Sequence, residues 1–292
     1  YKDQLSNRLD PSMSIMQGIN AKVRKNPKRV IFAEGEDENM LKAAIEFGRN
    51  KLGVPILIGA ENRVKEQLKK IGLDENYKIE IVNSTNKEKR EKYVNHLYKK
   101  LQREGQLERD VDRLVRNDRI AWGSSMIACK DADAMVTGNI RHYAASIEKL
   151  KKVVDARPGE EIFGMTMIVS KGKTILVADT NVTELPSSER LIKISKSCVR
   201  IARLFGFEPK VAFLSHSTFG KPLSRNTRHV RDAIEKLKKE KVDFDFDGEM
   251  QPDVALNPVY QEIYPFSKIV GSANVLIMPA LHSAAISTKL MK

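Results

Sequence analysis

Residues 210–224 read KVAFLSHSTFGKPLS, and the fold turns on how they are parsed. Residues 211–214 are a short apolar run. Ser215, His216, Ser217, Thr218 and Gly220 interrupt it, and a charged, helix-like pattern follows over 224–239. In the order strand, hydroxyl-and-glycine loop, helix start, loop amides and the positive end of a helix dipole converge on one spot and bind phosphate. Lys221 adds a charge there. The other reading is a plain strand–helix connection whose Ser and Thr cap the helix. The loop matches no Walker or dinucleotide motif, so the local pattern leaves both readings open.

Working upstream, strands and helices alternate with short loops. RVIFA at 29–33 is a strand closed by EGED, 39–51 a helix, 54–58 a strand, 61–71 a helix and 78–82 a strand. Residues 87–131 are helical and heavily charged, with a break at Gly105. Residues 134–137 form a buried strand ending in Gly138 and Asn139, and 144–153 a helix. This alternation predicts a mostly parallel sheet covered on both faces. Turn chemistry at Arg157, Pro158 and Gly159 marks a boundary. A hairpin follows, 162–169 and 174–177 around a Ser-Lys-Gly-Lys turn, the one clear antiparallel element. A helix over 188–204 carries Leu191, Ile194, Val199, Ile201 and Leu204 on its apolar positions. Downstream, 244–249 reads as an acid-loaded strand, Asp253 starts a short helix, 275–278 is the last strand and His282 opens a final helix. Residues 1–27 read as a helical arm, with Leu5, Leu9, Met13, Met16, Ile19 and Val23 at helical spacing and an interruption around Pro11. The expected class is α/β.

At 292 residues the chain has room for one large α/β unit or two domains. Its 41% hydrophobic and 30% charged residues describe a soluble protein. No apolar run is long enough to cross a bilayer, and the opening residues carry no signal-peptide pattern. The chain stops at Lys292 inside a helical pattern, so a longer polypeptide is expected. The net charge of +13 raises nucleic-acid binding, but the lysines are mixed with glutamates and no stretch interleaves aromatics with arginine. A solvated basic surface, able to attract a small polyanion, is the expectation. Cys129 and Cys198 stand far apart without ligand spacing and read as buried thiols of a reducing compartment.

Asp243, Asp245, Asp247, Glu249 and Asp253 form an acidic cluster. A metal would need their oxygens to converge, whereas strand spacing sends alternate residues to opposite faces. Asp247 and Glu249 share a face and are expected to hydrogen-bond a neighbouring loop. His216 and His282 follow strand ends, where open α/β sheets bind ligands. A lone histidine is usually structural, and no Ser-His-Asp order or nucleophile elbow is present.

Several motifs in register give a resemblance over essentially the whole chain. RVIFAEGED, DADAMVTG, DTNV, FLSHSTFGKP, DGEMQPDVALNP and VLIMPALHSAAISTKL resemble the phosphate acetyltransferase/butyryltransferase family, in the family's order. Leu-Ser-His-Ser before Phe219-Gly220, Gly-Glu-Met-Gln at 248–251 and Pro-Ala-Leu-His-Ser-Ala at 279–284 are most similar to the C-terminal phosphotransacetylase-like domain of bacterial NADP-dependent malic enzymes. The resemblance implies a two-domain α/β/α fold of the isocitrate/isopropylmalate dehydrogenase type, with a cleft between domains. The domains expected are an arm at 1–27, a first domain at 28–143 completed by 282–292 and beyond, and a second at 144–281.

Residue reading and resemblance together give a CoA-ester and phosphate-binding set: Thr137, Gly138, Asn139, Ser215, His216, Ser217, Thr218, Gly220, Lys221, His282 and Ser283. Active transferases of the family carry an arginine where Leu101 follows Tyr98, a second arginine at the place of Glu148, and an asparagine at the place of Ala285. Two phosphate-pairing cations are therefore missing, and a dianion without bidentate arginines binds and reacts poorly. No catalytic residue and no metal ligand is assigned. The implied function is binding of acetyl-CoA or a related CoA ester, regulating a malic enzyme part N-terminal to this chain. NADP and a divalent metal belong to that part. The alternatives are an active phosphate acetyltransferase and a structural oligomerisation domain. A cytoplasmic homo-oligomer built from dimers is expected, with the 188–204 helix and the hairpin supplying surface, and with neither nucleic acid nor membrane as partner.

Overall fold

The computed structural model describes residues 11–73, 79–170 and 173–291. They form two compact units, one running from Asn20 to Asp155 and the other from Ala156 to the end of the described chain, with which 11–19 are grouped. A helix, α1 (Pro11–Lys25), opens the described chain. Its start at Pro11 suits a residue that lacks an N–H, since the first helical amides have no intrahelical partner. Leu5 and Leu9 of the expected arm lie outside the described residues.

In the first unit, β1 (Lys28–Phe32), α2 (Glu38–Arg49), β2 (Gly53–Ile58), α3 (Glu61–Lys70) and β3 (Glu80–Val82) alternate as expected. Helices α4 (Lys87–Leu101), α5 (Glu108–Asn117) and α6 (Arg119–Ala128) precede β4 (Ala134–Val136) and α7 (Tyr143–Val153). The sheet order is β3-β2-β1-β4, parallel throughout. Strand alternation sends neighbours to opposite faces. Ile31, Ile56 and Ile58 pack with Tyr93, Leu97 and Trp122 from the α4–α6 layer, while Phe32 and Leu57 pack with Leu41, Ile45 and Leu68 from α2 and α3. Asp37, Asn86 and Asp118 start α2, α4 and α6 by accepting from the amides of Met40, Lys89, and Ile120 and Ala121. Helix α7 packs on α6, so the unit runs on to Asp155, where a division at 143/144 was expected.

The second unit holds β5 (Met165–Ser170), β6 (Lys173–Ala178), α8 (Ser188–Phe205), β7 (Lys210–Leu214), α9 (Arg228–Lys239), β8 (Asp245–Met250), α10 (Pro252–Leu256), β9 (Val275–Ile277) and α11 (Leu281–Leu290). Its sheet runs β5-β6-β9-β7-β8. Only the β5–β6 hairpin is antiparallel. Leu176, Val211, Phe213 and Ile277 face α8 and α9, and Val177, Ala212, Leu214 and Leu276 face the α10 side, where Ala284 of α11 is buried with them. Cys198 lies in this core and burial pushes its thiol up to about 12. Cys129 of the first unit is only half-buried, short of the buried position expected, because it stands at the C-terminal end of α6, at the edge of the core it packs against. No described helix is long and apolar enough to cross a membrane.

Candidate functional site

In the first unit, β1 and β4 are neighbours, while the chain leaves β1 toward β2 and β3 on the other side. That reversal is where open α/β sheets place a ligand crevice. A cavity of about 530 Å³ lies there, lined among others by Glu34, Glu36, Asp37, Arg119 and Arg141. Thr137, Gly138 and Asn139 follow β4. Three of their donors are already engaged. Glu34 Oε1 accepts from Thr137 Oγ1 at 2.8 Å and from the Gly138 amide at 3.1 Å. Asn139 Nδ2 donates to Asp37 Oδ1 at 2.6 Å. Glu34 is 2% exposed, and its Oε2 has no partner.

Two carboxylates fix the surrounding loops. Asp118 Oδ2 accepts from Arg141 at 2.8 Å and from Lys149. Burial alone would raise the Asp118 carboxyl, but hydrogen bonds from Lys149, the Ala121 amide and Arg141 outweigh it and hold the group below its ordinary value. Glu36 accepts from the Ala60 amide at 2.9 Å and pairs with Arg119 at 2.8 Å. Its carboxyl is also lowered: burial opposes, and the Ala60 amide with the Arg119 and Arg63 charges prevails.

In the second unit the 215–221 stretch follows β7 but is no open nest. Phe219 (φ 48°) and Gly220 (φ 86°) turn the chain tightly, closed by Thr218 N to Lys221 O at 3.0 Å and Lys221 N to Thr218 O at 3.1 Å. Positive φ at both central residues is the two-residue hairpin turn. Glycine takes it freely; Phe219 is held there by its ring packing on Tyr264 and Phe266, at centroid distances of 5.3 and 4.8 Å. The amides of Ser215 and Phe219 donate to Met250 O and Glu249 O, and that of Ser217 to Ser215 Oγ. Only His216 and Gly220 keep unengaged amides in this stretch.

The hydroxyls turn inward. Ser215 and Ser217 are linked at 3.0 Å, and Ser217 Oγ donates to Glu249 Oε1 at 2.8 Å. Arg231 Nη1 reaches the same oxygen at 3.1 Å, and the Glu249 side chain is fully buried. Gln251 closes the arrangement, donating through Nε2 to His216 O at 2.7 Å and through its amide to Thr218 Oγ1 at 3.2 Å. The expected hydrogen bonding of Asp247 and Glu249 to neighbouring loops is realised, but not from one face. The β7–β8 register shifts after Phe213, so that Leu214 pairs with Met250 and Glu249 is skipped. Glu249 turns to Arg231 of α9, while Asp247 and Met250 lie on the α10 side. Asp247 Oδ2 accepts from the Lys268 amide at 2.8 Å, and Glu249 holds the turn. Gly248 between them is required by space: a Cβ would stand 2.6 Å from Phe213 O.

Helix α9 begins only at Arg228, beyond a 3-10 turn at Arg225–Thr227, later than the expected start near Ser224. His216 and Lys221 are exposed. His282 and Ser283 stand exposed in the first turn of α11, and Ser283 Oγ donates to Ala280 O at 2.8 Å. His229, which sequence reading passed over, bonds Pro279 O at 3.0 Å through Nε2. Thus the structure gathers Ser215, Ser217 and Thr218 around Glu249 and Gln251, and Thr137, Gly138 and Asn139 around Glu34 and Asp37. No hydrogen bond joins His282 to His216.

Arg231, Asp118, Arg119 and Arg141 were missed. Only the EGED after β1 flagged their neighbours Glu34 and Glu36. At the positions where the family's arginines were expected, Leu101 is buried in the first unit's core and Glu148 is exposed and pairs with Lys152 at 3.2 Å. A further cavity, about 810 Å³, lies along α8 and α9 and is edged by Lys193, Lys196, Arg200, Lys236 and Lys239 with Glu160, Glu189 and Glu240.

The family described as phosphate acetyl/butaryl transferase matches residues 14–292. The NADP-dependent malic enzyme of Rhizobium meliloti (strain 1021) is 43% identical over 293 residues, all of this chain but 38% of that protein. This chain spans about two fifths of the length of the malic enzymes it matches. The phosphate acetyltransferase of Clostridium acetobutylicum is 30% identical over 96% of this chain and 86% of its own. Among solved structures, a phosphotransacetylase from Streptococcus pyogenes superposes with a TM-score of 0.86 at 26% identity, covering 95% of this chain and 84% of that one. Motif order, parallel sheets with one hairpin, and these likenesses agree: the chain belongs to the phosphate acetyl/butyryl transferase family.

Proposed function

We propose that this chain is the phosphotransacetylase-like part of an NADP-dependent malic enzyme, that it binds acetyl-CoA or a related CoA ester, and that this binding regulates the oxidative decarboxylation of malate without acetyl transfer. Its likeness to malic enzymes over its full length supports the first element. The observation that carries the rest is the occupancy of the two loops expected to hold phosphate. Glu34 takes the donors of Thr137 and Gly138, and Glu249 takes Ser217 and Arg231. A transferred phosphoryl group needs converging cations and free donors in the transition state. Here it would meet acidic side chains, with Leu101 and Glu148 where the resemblance leads one to expect arginines.

Binding of a CoA ester makes smaller demands. The exposed His216, Lys221 and the Gly220 amide remain for an anionic group, and the net charge of +13 favours its approach. A ligand that prefers one of two arrangements shifts their populations without any chemistry. NADP and a divalent metal act in the malic enzyme part of the polypeptide, N-terminal to this chain in the cytoplasm. The assembly is a homo-oligomer built from dimers; light scattering at micromolar concentration gives at least twice the monomer mass on this reading, and a monomer refutes it. The test of binding is calorimetric titration of acetyl-CoA into the complete polypeptide: saturable heat supports the reading, and its absence ends it.

A further inference from the structure

A second cavity in the first unit, about 280 Å³, opens over the ends of β2 and β3. Ile58, Val115 and Trp122 are its apolar floor, each no more than 3% exposed. Ser84, Arg116 and the start of α3 are on its rim. Three observations mark it as built for a ligand. First, the residue before α3, Ala60, offers no side-chain cap, which leaves first-turn amides without partners. Second, Trp122 lines this cavity, and its buried Nε1 has no acceptor. An indole N–H in such a position normally finds one.

Third, the charged lining is balanced, Arg116 and Arg119 against Glu36 and Asp118, but the carboxylates already have cationic partners. Glu36 faces both Arg119 and Arg63, at 2.8 and 3.5 Å. Asp118 faces Arg141 and Lys149, and Glu61 in the first turn of α3 is paired with Lys65. Among the described residues Arg116 makes no ion pair and the Ser84 hydroxyl no hydrogen bond. The cavity thus combines unengaged donors, an arginine without an ion pair and an apolar floor.

We infer that this cavity binds a small oxyanion carrying an apolar body, with Arg116 and Ser84 on the anionic head and the body over Ile58, Val115 and Trp122. The cavity shares Glu36, Asn117 and Arg119 with the one beside the 137–139 loop, but its own donors, Arg116 and Ser84, are not in the CoA-ester set, so the inference does not depend on that reading. A phosphate and a carboxylate head share this chemistry, and the test separates them.

Trp122 is the sole tryptophan of the chain, so its indole ¹H–¹⁵N signal, assigned by its loss in Trp122→Phe, reports on the site alone. The full chain is titrated with phenyl phosphate, phenylacetate and neutral benzyl alcohol, three probes with one body and different heads. A saturable indole shift is expected with at least one of the two anions and none with benzyl alcohol at the same concentrations. The anion that binds more tightly identifies the head. Arg116→Ala, at an exposed position, weakens that binding about tenfold or more, as loss of a charged hydrogen bond does, and Ser84→Ala weakens it severalfold. Absence of a shift with both anions overturns the inference. So does unchanged affinity in Arg116→Ala, or binding of benzyl alcohol as tight as that of the anions. The acetyl-CoA titration fails or succeeds independently of this result.

Discussion

Arg231→Ala tests the buried ion pair on which the second unit's turn depends. Glu249 has a fully buried side chain, and its Oε1 has two partners, Ser217 and Arg231, while Oε2 has none. Removing the guanidinium leaves a carboxylate facing one hydroxyl in a dry setting. Breaking a buried pair in this way costs about 3–5 kcal/mol. Arg231 is 27% exposed, so water reaching the gap moves the expectation toward about 3 kcal/mol. The lost bonds to Thr227 Oγ1 and Ser224 O restore about 1 kcal/mol each to that figure. The assay is urea unfolding followed by far-ultraviolet circular dichroism, since the only tryptophan is in the other unit. Adding Glu249→Gln to Arg231→Ala removes the stranded charge and recovers a large part of the loss. An Arg231→Ala protein within about 1 kcal/mol of wild type, below the range for a broken buried pair, refutes the reasoning. So does a double variant no more stable than the single one.

The acid limb of stability is the second prediction. Glu36 is lowered in the folded state from its ordinary 4.5. Its contribution is therefore complete above pH 4.5 and fades as pH falls through the lower folded value. Glu36→Gln should flatten the fall of the first unit's urea midpoint between about pH 5 and 3; an unchanged slope counts against the Arg119 and Ala60 contacts as the cause. Third, Lys221→Ala should weaken acetyl-CoA about tenfold by calorimetry, the loss of one charged hydrogen bond, with an unchanged melting temperature because the side chain is exposed. Equal affinity in wild type and variant places the anion elsewhere.

Much of the fold was legible because two-residue and 3.6-residue periodicities are local. β1, β2 and β4, the hairpin, and α8 all stand within a few residues of their expected places, since each needs one buried face. The boundary after Asp155 was legible in the turn chemistry at 157–159 but not in the division at 143/144 that the resemblance implied: α7 joins the first unit through its packing on α6, which spacing does not record. The site was half legible. Its strand ends were visible, because Gly138, Gly220 and the hydroxyls stand out in sequence. The direction of those hydroxyls was not. Ser217 looks like a phosphate donor until Glu249, 32 residues on, accepts from it, and Arg231 hides among the charges of α9. Long-range pairing of polar side chains has no period to read.

The central claim is that this chain senses a CoA ester and does not transfer its acyl group. The direct measurement is made on the complete polypeptide: acetyl phosphate formed from acetyl-CoA and phosphate, beside the rate of NADP-dependent malate oxidation with and without acetyl-CoA. The account predicts no appreciable transfer and an acetyl-CoA-dependent change in malate oxidation. Transfer at several turnovers per second or more, as ordinary enzymes show, or malate oxidation indifferent to acetyl-CoA, would contradict it.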